Sequence, residues 1–186
     1  MNTMPDSTSA RATTFDMRAR LDAEFEGESD RGCAITTVSL LEEGLAHLIG
    51  RLLPGGLDDA RHFMPKGRLS VGISNAHKLG LIDDAVASTL KLIVAIRNEF
   101  AHGVLECVSF ESPQIREKVA RLALPNLEAV PDVCADVEAI PRKRFMMAVD
   151  NMFFTLNEIK NGVRPLPQLV PPTLSITRVS RPPPAE

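Results

Sequence analysis

Three hydrogen-bonding side chains lie close together near the end of a predicted helix: Arg97, Asn98 and His102, in the segment RNEFAH. A histidine that titrates near neutral pH can accept a proton from a hydroxyl group. An arginine, which is always charged, can stabilise the charge that develops on a phosphate. The set could therefore carry out proton transfer beside a phosphate group. The simpler alternative is a helix end in which His102 hydrogen-bonds the last carbonyl groups.

The same helix predicts different surroundings for the arginine and the histidine. At about 100° per residue, Arg97 falls roughly 40° from Ile93, inside an apolar stripe, whereas His102 falls on the polar side. A guanidinium inside an apolar stripe requires a partner. Glu42 lies within the apolar arc of an earlier helix by the same arithmetic. We therefore expect a buried structural ion pair between Arg97 and Glu42, with a phosphate-binding pocket around Arg97 as the functional alternative.

A further candidate site is the basic run Arg142, Lys143 and Arg144 at the start of the last predicted helix. Cations at a helix N-terminus oppose the helix dipole, so a partner is expected to compensate them. The partner could be a nucleic-acid phosphate, another protein or a neighbouring carboxylate, and plain solvation is the remaining alternative. The sequence predicts a possible nucleic-acid or partner patch here and leaves these alternatives open.

Composition and charge narrow the class of protein. The net charge is −3 and the chain has neither Trp nor Tyr, whereas a protein that coats a nucleic-acid backbone usually has a basic excess and aromatic stacking platforms. No helix–turn–helix with a basic recognition helix is present, so no sequence-specific DNA binding is expected. Binding of RNA through a local basic patch stays possible.

The cysteines and the apolar runs exclude other classes. Three cysteines without a CxxC pair argue against a disulfide framework or a zinc site, and Cys33 is expected to be a buried free thiol. No metal-ligand cluster or Gly-rich phosphate loop occurs, so we expect no metal and no cofactor. No apolar run approaches the roughly 18 residues of a membrane span, and no signal-peptide pattern is present. We therefore expect a cytoplasmic protein without a membrane segment.

Hydrophobic periodicity predicts an all-α bundle of about six helices with no convincing strand. The predicted helices span 15–25, 30–53, 68–79, 84–103, 113–122 and 141–161. A polar linker is predicted over 54–66 and a Pro-containing loop over 124–141. Residues 1–14 are predicted to be a disordered arm, 15–162 a helical domain, and 163–186 a Pro-rich tail that is disordered or extended.

The last predicted helix is apolar on two faces. Met147 and Phe154 fall on the side opposite Phe145 and Val149. Such a helix is either enclosed within the bundle or paired with a second copy of the chain. We expect a homodimer.

Several segments together resemble the mannitol-repressor (MltR-like) family, a helical family placed near the HEPN superfamily. The matching stretches are DRGCAITTVSLLEEGLAHLI at 30–49, the span 66–103 with NAHKLGLIDD and LIVAIRNEFAHG, VSFESPQIREKVARL at 108–122, and PRKRFMMAVDNMFFTLNE at 141–158. RNEFAH itself is similar to the HEPN pattern of an arginine, a polar residue and a histidine after a four-residue gap. The family resemblance implies a helical bundle linked to transcriptional control of sugar uptake, without a DNA-reading helix.

The HEPN resemblance implies a second function, because active members of that superfamily cut RNA. Two motifs face each other across a dimer there, and no metal is needed. Arg97, Asn98 and His102 would then be catalytic, with His102 taking the proton from a ribose 2′-hydroxyl. Our interpretation is a regulatory protein that represses transcription through protein partners. A metal-independent endoribonuclease is the alternative, and a catalytically inactive HEPN-like binding module is the third hypothesis.

Overall fold

The predicted all-α fold is confirmed by a computed structural model, which describes Phe25, residues 27–103, 107–124, Val137 and 139–167. These ranges contain helices and no strand. The helices are α1 (Asp30–Leu52), α2 (Gly56–Phe63), α3 (Leu69–Lys78), α4 (Asp84–His102), α5 (Pro113–Ala120) and α6 (Pro141–Gly162). No helix among the described residues combines the length and the apolar character that a membrane span requires.

Helix α1 is the centre of the bundle and packs against α2, α3, α4 and α6. The Ser29 hydroxyl caps its N-terminus by accepting a hydrogen bond from the Gly32 amide at 3.0 Å. Its buried apolar residues recur every three or four positions, as a helix that faces several neighbours requires. They include Ala34, Val38, Leu41, Leu45, Leu48 and Ile49.

Three phenylalanine rings join the elements around the end of α4. Phe110, in the segment after α4, packs between Phe100 of α4 and Phe145 of α6, with ring-centroid distances of 4.8 and 5.1 Å. All three side chains are fully buried. Tilted aromatic pairs at these distances stabilise a core beyond the apolar area that they bury. The core thus holds the RNEFAH helix firmly against α6.

Two helix starts agree with the sequence prediction. The Asp83 carboxylate caps α4 by accepting from the Val86 amide at 2.8 Å. Ser112 is the N-cap residue of α5, and Pro113 occupies its first turn, where proline loses no helical hydrogen bond.

The predicted linker 54–66 is wrong over most of its length, because it contains the short helix α2. The N–H of Gly55, the N-cap residue of α2, donates a hydrogen bond to the Asp59 carboxylate at 2.9 Å. Ala60 is the one fully buried residue of α2. A helix with so small an apolar face gives almost no periodic signal. Gly50 of α1 lies so close to the start of α2 that a Cβ there would be 3.0 Å from the Gly56 backbone.

Other predicted segments lie wholly or mostly outside the described residues. The predicted arm 1–14 lies outside the described residues, as does the helix 15–25 except for Phe25, which is buried. Most of the predicted loop 124–141 and of the tail 163–186 also lies outside them. The domain boundaries therefore stay predictions.

Candidate functional site

A cavity of about 300 Å³ opens beside Arg97, where α1 and α4 meet the loop between α2 and α3. We call it the Arg97 cavity. Helix α1 contributes four residues at helical spacing, so that they share one face. The lining residues are Ile35, Val38, Ser39, Glu42, Lys66, Gly67 and Arg97. Glu42 and Arg97 were predicted from the sequence. Helical spacing from Glu42 could also have indicated the other lining residues of α1, whereas no signal in the sequence indicated Lys66.

Arg97 lies in the apolar stripe of α4, as its position on the helical wheel predicted. Its stripe neighbours Ile93 and Phe100 are fully buried, and Arg97 itself is half-buried. Within the part of the chain that the structure describes, its side chain forms no hydrogen bond and no ion pair. The guanidinium therefore lines the cavity as a positive charge that has no direct partner among these residues.

Glu42 lines the same cavity, but the predicted ion pair between Glu42 and Arg97 is not formed. Glu42 is half-buried rather than buried, and its Oε1 accepts a hydrogen bond of 2.6 Å from the Gly67 amide. Gly67 has a φ of +77°, a conformation that glycine adopts without strain, and this turn directs its N–H to the carboxylate. The partner of the Glu42 carboxylate is therefore a backbone amide of the loop between α2 and α3, and not the Arg97 guanidinium.

The other two residues of the predicted catalytic set lie away from the cavity lining. His102 is the last residue of α4 and is exposed, while Asn98 is half-buried. Neither side chain forms a hydrogen bond within the described ranges. The carbonyl groups near the end of α4 have other donors: Arg31 Nη2 donates to Ala101 O at 3.3 Å, and Gly103 N donates to Glu99 O at 2.9 Å. Asn98 and His102 are thus not among the residues that line the Arg97 cavity.

The first arginine of the basic run faces the interior of the bundle. Arg142 forms an ion pair with Asp30 at 3.0 Å, and its Nη2 donates to Phe25 O at 2.6 Å and to Glu28 O at 2.7 Å. Asp30 in turn accepts from the Phe110 amide at 2.9 Å. Arg142 thus connects the first turn of α6 with the segment that leads into α1.

The second arginine of the run caps a neighbouring helix. Arg144 Nε donates to Val119 O at 3.0 Å, and its Nη2 donates to Ala120 O at 3.2 Å and to Leu122 O at 3.0 Å. The last carbonyl groups of a helix have no partner within it, and the guanidinium supplies one for α5. Of the predicted patch, Lys143 is the exposed member.

Cys33 is the buried free thiol that we expected. Its side chain is fully buried, and its Sγ donates to Met146 Sδ at 3.1 Å. Burial raises the pKa of the Cys33 thiol from 9.0 to about 11, against a smaller lowering effect of the Arg142 charge. The thiolate, which is the reactive form, is therefore suppressed at neutral pH.

Metal coordination has no counterpart in the described residues, since no group of three or more His, Cys, Asp or Glu side chains is suitably placed for an ion. The Arg97 cavity instead presents two cationic side chains, Arg97 and Lys66. A planar guanidinium matches the geometry of carboxylate and phosphate groups. The chemistry of this site is therefore suited to an anion.

The fold places the chain in the class of all-α bundles that are built around one long central helix. Within that class it is similar to a chain in the X-ray structure of the MtlR–HPr complex from Escherichia coli. The TM-score is 0.54 at 21% identity, over 78% of this chain and 98% of that chain. At this identity the likeness shows a shared fold. No protein-family model and no curated protein matches the chain.

Proposed function

We propose that this chain is a regulatory protein of the mannitol-repressor type, which controls transcription through a protein partner rather than by reading DNA. The observation that carries the proposal is the fold likeness over 98% of a chain from the MtlR–HPr complex. In that complex the two named components are associated. A corresponding protein of the HPr type is therefore the partner that we propose for this chain.

The hydrogen bonds of the basic run support a protein partner over a nucleic acid. Arg142 and Arg144 are committed to Asp30 and to backbone carbonyl groups. Releasing either guanidinium to a phosphate would break these hydrogen bonds, several of which are part-buried. The net charge of −3 adds a general repulsion from nucleic acid.

We further propose that the regulator is a cytoplasmic homodimer. Met147 and Phe154 are half-buried and lie outside the core cluster of α6, to which Phe145 and Val149 belong. A second copy packed on this face would bury both side chains. Sedimentation of the purified chain tests this: a single species of monomer mass at about 100 µM, where even weak dimers associate, contradicts it.

The test of the partner proposal is sedimentation velocity of the full chain with and without HPr from the same genome. A faster boundary that contains both proteins is the expected result. In two further arms of the experiment, the same protein preparation is mixed with operator-length DNA and with single-stranded RNA. Free HPr at about 100 µM of each protein, where a micromolar complex is nearly saturated, overturns the proposal.

The RNA arm separates the endoribonuclease hypothesis from the regulator. That hypothesis requires a dimer that brings two exposed His102 side chains to one cleft. It predicts cleavage of RNA in EDTA with 2′,3′-cyclic phosphate products, lost in His102→Ala with an unchanged circular-dichroism spectrum. Such cleavage replaces the proposed function. Its absence, together with an HPr complex, supports the regulator.

A further inference from the structure

We infer that the Arg97 cavity is a binding site for a small organic anion, with a phosphate or carboxylate head group and a short apolar body. The inference goes beyond the proposed function and does not depend on it. It rests on the composition of the cavity wall, on an Arg97 guanidinium without a partner among the described residues, and on the hydrogen bond between Glu42 and Gly67.

The first argument is that Arg97 has no hydrogen-bond or ion-pair partner among the described residues. Its helix places it between fully buried apolar residues such as Ile93 and Ile96, and its side chain lines the cavity. Within the described ranges no carboxylate, carbonyl or hydroxyl group accepts a hydrogen bond from it. A half-buried guanidinium in such surroundings gains more from an anion than an exposed one does, because water screens it less.

The placement of Lys66 is the second argument. The Gly67 amide donates to Glu42 Oε1 at 2.6 Å, which fastens the loop between α2 and α3 to α1. Lys66, the residue next to Gly67, thereby joins Arg97 in the cavity wall. Glu42 is thus a positioning residue: its hydrogen bond holds the loop that carries the second cation.

The charge balance of the wall favours an anion. Lys66 and Arg97 carry two positive charges and Glu42 one negative charge, so the site has a net charge of +1 in a chain of net charge −3. The Glu42 carboxylate opposes an anion, although the Gly67 hydrogen bond occupies one of its oxygens. Replacing this carboxylate by an amide should therefore improve binding.

The size and the remaining walls determine the kind of anion. Ile35 and Val38 supply an apolar side, and Ser39 adds a hydroxyl group. About 300 Å³ is at the lower end of ligand-site volumes and exceeds what a single phosphate ion fills. An anion with a short apolar body contacts both the cations and the apolar side. We therefore expect phenyl phosphate and benzoate to bind more tightly than inorganic phosphate.

The test is calorimetric titration of the full chain with phenyl phosphate, benzoate and inorganic phosphate. Arg97→Met, which keeps the apolar stem, should weaken phenyl phosphate binding by roughly tenfold or more, since it removes a charge-assisted hydrogen-bond donor. Lys66→Gln should weaken it by a smaller factor. Glu42→Gln should strengthen it severalfold, because the amide oxygen can still accept from Gly67. Phenyl phosphate against benzoate identifies the preferred head group.

Lys91→Gln is the matched control, because Lys91 is an exposed cation on the same helix. It should leave the affinity unchanged. Circular dichroism of each variant reports its folding, and Lys66→Gln tests the site even if Arg97→Met unfolds. Failure of both organic anions to bind the unaltered chain at about 10 mM, weaker than any useful site, overturns the inference. Equal losses in Lys91→Gln and Lys66→Gln also overturn it, since they indicate general charge attraction.

Discussion

Arg142 and Asp30 form an ion pair of 3.0 Å that connects the first turn of α6 with the first turn of α1 across 112 positions of sequence. Both side chains are largely buried, with 28% and 29% exposed. The Asp30 carboxylate uses its second oxygen for the Phe110 amide. One carboxylate therefore connects both long helices with the aromatic cluster after α4.

Arg142→Ala should destabilise the fold, because it removes the hydrogen bonds that Arg142 donates to Asp30 and to the carbonyl groups of Phe25 and Glu28. The pair is partly exposed, so we expect a loss of about 1–3 kcal/mol, below the value for a fully buried pair. Urea unfolding measures it. The exposed Arg51 is the control, and Arg51→Ala should change stability by less than about 0.5 kcal/mol. Equal effects of the two substitutions contradict the role assigned to Arg142.

Arg144→Ala should remove the C-terminal cap of α5 and cost about 1–3 kcal/mol, because three carbonyl groups lose a hydrogen bond. Arg144→Lys should recover only part of this, since an ammonium cannot reproduce the guanidinium fork. Arg121→Ala, at an exposed position beside α5, is the control. Full recovery by lysine in urea unfolding argues against the fork geometry.

Arg97→Met should change the free energy of unfolding by less than about 1 kcal/mol, because no carboxylate among the described residues forms an ion pair with the half-buried guanidinium. A buried Arg97–Glu42 pair, as the sequence predicted, would instead cost about 3–5 kcal/mol when broken. Urea unfolding of Arg97→Met and of the double variant with Glu42→Gln distinguishes the two. A loss in the larger range that Glu42→Gln partly restores supports the direct pair.

The stability of the fold should fall between pH 9 and pH 11 through Cys33. The pKa of the Cys33 thiol in the fold, about 11, lies above its ordinary value of 9.0, so the folded state keeps the proton when the unfolded state loses it. The stabilisation is complete below pH 9 and declines as the pH rises towards 11, by roughly 2–3 kcal/mol at most. Cys33→Ala should flatten this decline in urea unfolding from pH 8 to 11. An identical slope in both proteins contradicts the assignment.

Local signals in the sequence predicted the elements that local interactions determine. The Asp83 cap bonds an amide three positions away, and the Ser112–Pro113 start of α5 depends on adjacent residues. The inward stripes of α1 and α4 follow from helical periodicity. The position of Arg97 in an apolar stripe was predictable for the same reason.

Interactions distant in sequence could not be predicted in this way. Glu42 accepts from Gly67, 25 positions away, because a left-handed glycine turns its amide towards α1. The partners of Arg142 and Arg144 depend on how α6 packs against α1 and α5. Charge alone predicted that partners exist, and the packing of the helices determines which ones they are.

Calorimetric titration of the full chain with HPr from the same genome tests the proposed regulator most directly. We expect a saturable 1:1 heat per chain with a Kd on the order of micromolar or tighter. An operator duplex in the same buffer should give no saturable heat at physiological salt. Absence of saturable heat with HPr would contradict the account, and so would tight sequence-dependent binding of the duplex.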